Sequence, residues 1–168
     1  SHRFYTEALG FEQCAQLTHT MNMRFYRSDP THHHDIALVQ TTEPADAPRR
    51  WSLVDTTVGV NHLALSFPDR ETWLAQLAHM QEIGVEFLVR GNHGMTHSAY
   101  VQDPDGNGIE VLYNLPEEVW GGDVDAALNY FEYVPTEGDG ALDDRTDYQH
   151  FGPGHEAPVG VPGRIVTR

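Results

Sequence analysis

The segment Asn61-His62-Leu63-Ala64-Leu65-Ser66-Phe67 alternates with a period of two, which predicts a strand presenting His62, Ala64 and Ser66 on one face and Leu63, Leu65 and Phe67 on the other. The strand is expected to run from Val58 to Phe67. Pro68-Asp69 then opens a helix, with Asp69 as N-cap and Trp73, Leu74, Leu77 and Met80 as its sheet-facing stripe. The larger apolar set of the strand packs under that helix, which leaves His62 on the open side among small neighbours. In Gly108 to Tyr113 the same alternation sends Ile109, Val111 and Tyr113 toward the helix and Glu110 to the open side with Leu112. A carboxylate in an otherwise apolar strand needs a partner, because burying it unpaired is costly. A metal shared with His62 is one solution; an arginine or a wet edge is another.

A repeat accounts for the remainder of the pattern. At an offset of 74, Phe4 to Phe11 fall on Ala78 to Val85, His19 on His93, Tyr26 on Tyr100 and Asp29-Pro30 on Asp103-Pro104, without gaps. Gly10 and Gly84 occupy the left-handed position that ends a helix. After each Asp-Pro turn comes a strand, Asp35 to Gln40 and Gly108 to Tyr113, so both halves read helix, strand, strand, strand. By the same offset, the strand that precedes the helix in the second half has its first-half equivalent before Ser1. Residues 41–57, with two prolines and Arg49-Arg50, read as a linker between module one (1–40) and module two (58–114). The paired modules occupy 1–120, and 121–168 form a loop-rich acidic tail with one short helix expected from Val124 to Phe131. No chemistry is assigned to that tail, although Trp120, Tyr130, Phe131 and Tyr133 argue that it packs.

Twenty-five acidic against ten basic residues give a formal charge of -15, which repels phosphate backbones and anionic membrane surfaces alike. Nucleic acid and membrane are therefore excluded as expected partners. Cys14, the single cysteine, cannot form an internal disulfide, and no apolar run approaches the roughly 18–20 residues of a membrane span, so the cytoplasm is the default compartment. Eleven histidines are many for 168 residues, and His32, His33, His34, His62 and His93 fall near expected strand ends or turns.

Val60-Asn61-His62-Leu63-Ala64-Leu65, His93-Gly94, Tyr100 and Asp103-Pro104-Asp105-Gly106-Asn107-Gly108-Ile109-Glu110-Val111, with Phe4-Tyr5 and Leu9-Gly10-Phe11, resemble the vicinal oxygen chelate superfamily. That superfamily includes glyoxalase I, fosfomycin- and bleomycin-resistance proteins and type I extradiol dioxygenases. The resemblance implies an α+β fold of two tandem βαβββ modules forming a cupped sheet around a metal site, with His62 and Glu110 as ligands. Ile36, the offset partner of Glu110, stands where a glyoxalase-like site takes a ligand. The segment His33-His34-Asp35-Ile36-Ala37-Leu38 is instead similar to one in single-domain extradiol dioxygenases, where the histidine corresponding to His34 is an acid-base residue. His93-Gly94-Met95-Thr96-His97-Ser98-Ala99-Tyr100 resembles a run in the same enzymes whose histidine and tyrosine line the substrate pocket, implying roles for His93 and Tyr100.

The third ligand, a histidine, is implied by the resemblance to lie on the first strand of module one, upstream of Ser1. The expected activity is extradiol cleavage of a catechol-type aromatic diol by O2 at Fe(II), with Mn(II) as the other metal considered. Two alternatives stay open: another metal-dependent member, glyoxalase-like or fosfomycin-modifying, and a bleomycin-resistance-like binding protein. Extra sheet edges make a homodimer a reasonable expectation.

Overall fold

The computed structural model describes residues 1–42 and 46–144. The expectations for 43–45 of the linker and 145–168 of the tail fall outside the described residues. Phe4–Ala8 forms a π-helical turn, followed by β1 (Glu12–Leu17), β2 (Met23–Arg27) and β3 (Ile36–Val39), an antiparallel sheet in the order β1-β2-β3. The second half comprises β4 (His62–Phe67), α1 (Arg70–Glu82), β5 (Val89–Asn92), β6 (Thr96–Gln102) and β7 (Gly108–Asn114). Two short helices, α2 (Glu117–Trp120) and α3 (Val124–Leu128), lead to β8 (Glu132–Tyr133), and the sheet order is β4-β7-β6-β5-β8. Among the described residues, no helix is long and apolar enough to cross a membrane. The fold is mixed α+β.

The helix ends follow from their sequences. Asp69 accepts the Thr72 N–H at 2.7 Å, and α1 stops at Gly84, whose φ of 80° is open to glycine at no steric cost. Val85 N–H donates to Met80 O and Gly84 N–H to Gln81 O, the paired closure that uses up the last free carbonyls. Gly10 (φ 77°) does the same work for the first helix, but Phe11 N–H reaches back to Tyr5 O, one residue further, as a π-helical turn requires.

Trp73, Leu77 and Met80 have no solvent exposure, and they meet Ala99 and Val101 of β6 and Ile109, Val111 and Tyr113 of β7. The same cluster takes in Tyr5, Phe11 and Tyr26 from the first half, so one apolar core serves both sheets. Tyr5 also donates to the buried Asp103 at 2.8 Å. Asp103 accepts from Asp105 N, Asn107 N and Asn107 Nδ2 as well, which locks the Asp-Pro-Asp-Gly turn and fixes where β7 begins.

Two strand expectations are corrected. The strand expected from Val58 starts at His62, because β4 pairs only with β7 among the described residues and β7 begins at Gly108, opposite His62. Val58 and Val60 are consequently exposed, and Leu63, expected under the helix, is 48% exposed because β4 lies at the sheet margin. Asp35 and Gln40 lie outside β3; Asp35 instead accepts the Ser28 N–H and hydroxyl, closing the loop ahead of the strand.

The expected Val124–Phe131 helix is shorter, ending at Leu128, because the chain turns to lay Phe131 on β5 at Gly91 and to pair β8 with β5. This C-terminal segment is fastened by buried polar groups. Arg90, 1% exposed, donates to Ala141 O and lies over the Trp73 ring at 4.7 Å. Burial pulls its guanidinium down to about 10, against the opposing charges of Asp144, Tyr113 and Asp143. Asp144 accepts from Tyr113 Oη at 2.8 Å and Arg70 Nε at 2.7 Å and meets His97 Nδ1 at 2.6 Å.

Burial alone would raise the Asp144 carboxyl, but the bonds and charge from His97, with those from Tyr113 and Arg70, outweigh it and hold the group below its ordinary value. A depressed folded pKa stabilises above the unfolded value of about 3.9 and loses that contribution as pH falls through the folded value. Asp144→Asn is therefore expected to cost about 2 kcal/mol at pH 7. Urea unfolding of both proteins at pH 7 and at pH 3 checks this: the gap in stability narrows in acid if Asp144 acts through its charge.

Candidate metal centre

Register brings the site together. Ala64 on β4 and Tyr100 on β6 both lie opposite Glu110 on β7, and His62, two residues before Ala64, shares that face. The result is an ordered row of side chains. His62 Nε2 stands 3.1 Å from Glu110 Oε2, Tyr100 donates its hydroxyl proton to Glu110 Oε1 at 2.7 Å, and His93 Nε2 lies 2.9 Å from the Tyr100 oxygen. Glu110 is 6% exposed and Tyr100 2%.

The tautomer of His62 follows from its neighbour. Asn61 Nδ2 faces two carbonyls, Leu53 O at 3.3 Å and Asp55 O at 3.5 Å, which turns Asn61 Oδ1 toward His62 Nδ1 at 2.8 Å. Since an amide oxygen only accepts, Nδ1 carries the hydrogen, and a neutral ring then aims the Nε2 lone pair at the carboxylate. Two electron-rich atoms at that spacing repel unless they share a cation, either a proton or a metal ion. An imidazole nitrogen oriented through its other N–H, beside a buried carboxylate, is the donor pattern of a divalent transition-metal site. The residues present therefore fit an ion held between them. Among the described residues, no group of three or more His, Cys, Asp or Glu forms a complete ligand set.

Electrostatics sharpen the roles of the next two residues. Burial, followed by the charge of Glu110, pushes the Tyr100 phenol well above its usual range, so it stays protonated as a donor. Burial lowers His93 below the ordinary histidine value, against the charge of Glu110 and a bond with the Tyr130 backbone. His93 is thereby held toward the neutral imidazole, with the ring edge-on to Phe131 at 4.7 Å.

Four of the five residues singled out from sequence, His62, Glu110, Tyr100 and His93, thus lie together. His34 is placed elsewhere: it is exposed ahead of β3, its Nδ1 is 2.6 Å from that of His33, and its ring meets Phe25 at 5.0 Å. Three further residues at the site were given no role there from sequence. Asn61 carried a signal, being next to His62, whereas Trp51 and Phe131 come from irregular segments with no periodicity to direct them. Trp51 stacks on Tyr100 with ring centroids 5.6 Å apart and planes 13° from parallel. A cavity of about 170 Å³ opens beside Trp51, Asn61 and Gly108. A second cavity, about 790 Å³, lies against the first sheet at Arg24, Tyr26 and Leu38, away from the His62–Glu110 pair.

Residues 1–111 match the family described as the Glyoxalase/Bleomycin resistance protein/Dioxygenase superfamily. A catechol-2,3-dioxygenase of Bacillus subtilis (strain 168) is 35% identical over 65 residues, which cover 39% of this chain and 22% of that protein. Biphenyl-2,3-diol 1,2-dioxygenase 3 of Rhodococcus globerulus is 37% identical over 65 residues, covering 37% of this chain and 34% of the relative. The match thus spans between about a fifth and a third of the length of these two relatives. Among solved structures, a glyoxylase/bleomycin resistance protein/dioxygenase domain from Frankia sp. EAN1pec aligns with a TM-score of 0.56 at 16% identity, over 68% of this chain and 87% of that one, a likeness of fold.

Proposed function

The chain belongs to the Glyoxalase/Bleomycin resistance protein/Dioxygenase superfamily, and on that premise we propose that it is an extradiol ring-cleaving dioxygenase, inserting both atoms of O2 into a catechol-type diol at an Fe(II) or Mn(II) ion held by His62 and Glu110. The observation that carries this reading is the buried Glu110 carboxylate, one oxygen facing His62 and the other already taken by Tyr100. The two relatives named for catechol and biphenyl-diol oxidation support the reaction class.

A bound divalent ion would lower the pKa of a coordinated hydroxyl and supply the redox chemistry of oxygen. The rest falls to the chain. Asn61 holds His62 in the tautomer that frees Nε2. Glu110 would supply carboxylate oxygen to the ion, while Tyr100, bonded to Glu110 Oε1, keeps the carboxylate from turning away. The Tyr100 oxygen lies 2.9 Å from His93 Nε2, so His93, Tyr100 and Glu110 form a line of hydrogen-bond contacts beside which a ligand oxygen would sit. His34 is retained from the family resemblance as an acid-base candidate, to be tested by His34→Ala.

The test is oxygen uptake recorded with a visible spectrum, using protein loaded anaerobically with Fe(II) and given catechol or 2,3-dihydroxybiphenyl in air. One O2 consumed per diol with a yellow ring-opened product, lost in His62→Ala, is the expected result. Bound metal without uptake would point to a transferase or isomerase of the superfamily, and absence of metal binding to a binding protein. In the same assay Tyr100→Phe is expected to lower kcat about 100-fold while metal is retained, because it removes the hydrogen bond that orients Glu110 and the contact with His93 but no ligand.

A further inference from the structure

The open face of the pair is closed by a side chain that belongs to neither sheet. Trp51, 9% exposed, lies in the segment between the two halves, yet its indole is parallel to Tyr100 and edge-on to His62, at 88° and 6.2 Å. Three features seat it there: the main-chain N–H donates to Gln102 Oε1, Nε1–H donates to Asn61 O at 2.6 Å, and Gly108 leaves room where a Cβ would overlap the ring. A planar aromatic ring thus rests against the phenol and beside the imidazole that the proposed ion requires.

We propose that the indole of Trp51 fills the ring subsite of an aromatic ligand and leaves it on binding, so that Trp51 sets both access to the pair and affinity for the diol. A diol that reaches the ion between His62 and Glu110 must bring its ring to the same face of Tyr100 that the indole covers, and two rings cannot share it. The indole also has somewhere to go. The cavity of about 170 Å³ borders Trp51 and is lined by residues of the connecting segment, among them Arg49, Asp55 and Asn61, together with Gly106 to Gly108. Its anchors are hydrogen bonds and ring contacts rather than a place in a strand ladder, so displacement leaves β4, β6 and β7 intact. The ligand class rests on the dioxygenase reading, whereas the displacement stands on the stacking geometry.

Catechol is the probe. Its Kd for metal-loaded protein under argon is measured by calorimetry for wild type, Trp51→Ala and the double variant Trp51→Ala with Gly108→Ala, with circular dichroism of each to confirm the fold. The expected result is about tenfold tighter binding in Trp51→Ala, since the internal competitor is gone. Adding Gly108→Ala to Trp51→Ala, which sets a Cβ inside the space the indole leaves, cancels that gain. The difference between wild-type and Trp51→Phe emission, excited at the red edge of tryptophan absorption, moves to longer wavelength as catechol is added, because the indole enters water. Equal or weaker binding in Trp51→Ala overturns the inference, and oxygen uptake by wild type then still leaves the dioxygenase reading in place. Tighter binding without uptake has the opposite meaning: the subsite stands and the oxidation does not. No catechol binding by any of the proteins overturns both.

Discussion

Glu110→Ala is expected to abolish diol-dependent oxygen uptake, by at least about 1,000-fold, and to weaken Mn(II) or Fe(II) binding by roughly 100-fold or more. The size of the effect comes from how much meets at this one carboxylate. It faces His62 Nε2, accepts the Tyr100 hydroxyl and is 6% exposed, so no water replaces it cheaply. Glu110→Gln separates charge from shape: the amide can still accept from Tyr100 but offers the ion a neutral ligand, so metal affinity falls while the fold holds. Metal titration followed by the oxygen assay, on both variants, checks the pair of outcomes.

The largest loss of stability is expected at Trp73→Ala, about 4 kcal/mol. Trp73 has no exposure, donates Nε1–H to Val111 O at 3.0 Å and packs on Tyr113 at 4.9 Å. It also carries the Arg90 guanidinium over its ring, and that cation is 1% exposed. Truncation therefore leaves a cavity, removes a buried hydrogen bond and deprives a buried charge of its ring contact. Against a total of roughly 5–15 kcal/mol for a domain, this is a substantial fraction. Urea unfolding measures it, and Trp73→Phe, which retains most of the ring contact, is expected to lose less than half as much.

The parts of the fold that were legible in the sequence are those governed by local rules. The offset of 74 reflects real chain geometry: Gly10 and Gly84 have nearly the same positive φ, 77° and 80°, and each is followed by three strands. Asp69 caps because a short acceptor ahead of an apolar-periodic run has little else to do. Alternation alone placed Glu110 opposite the helix-facing Ile109 and Val111. What local rules do not contain is the identity of a strand's neighbour. Leu63 was expected to be buried from its side of the alternation, but an edge position leaves it half exposed.

The aromatic walls of the site, Trp51 and Phe131, and the C-terminal fastening at Asp144 were illegible for a related reason. Trp51, Phe131 and Asp144 lie in irregular chain, and each acquires its role from a partner between about 40 and 50 residues away, at Tyr100, His93 and His97 respectively. His97, to which no role was given from sequence, takes its place only once Asp144 and Tyr113 are folded around it. His34 shows the converse case, a residue singled out by resemblance whose neighbours here are His33 and Phe25.

That His62 and Glu110 hold one divalent ion between them is tested most directly by pulsed electron paramagnetic resonance of protein loaded with a single equivalent of Mn(II). The expected spectrum carries the nitrogen coupling of a bound imidazole, which disappears in His62→Gln and survives in His93→Gln and His34→Gln. An imidazole coupling unchanged in His62→Gln, or Mn(II) bound as tightly after Glu110→Gln, would contradict the assignment and move the metal elsewhere in the chain.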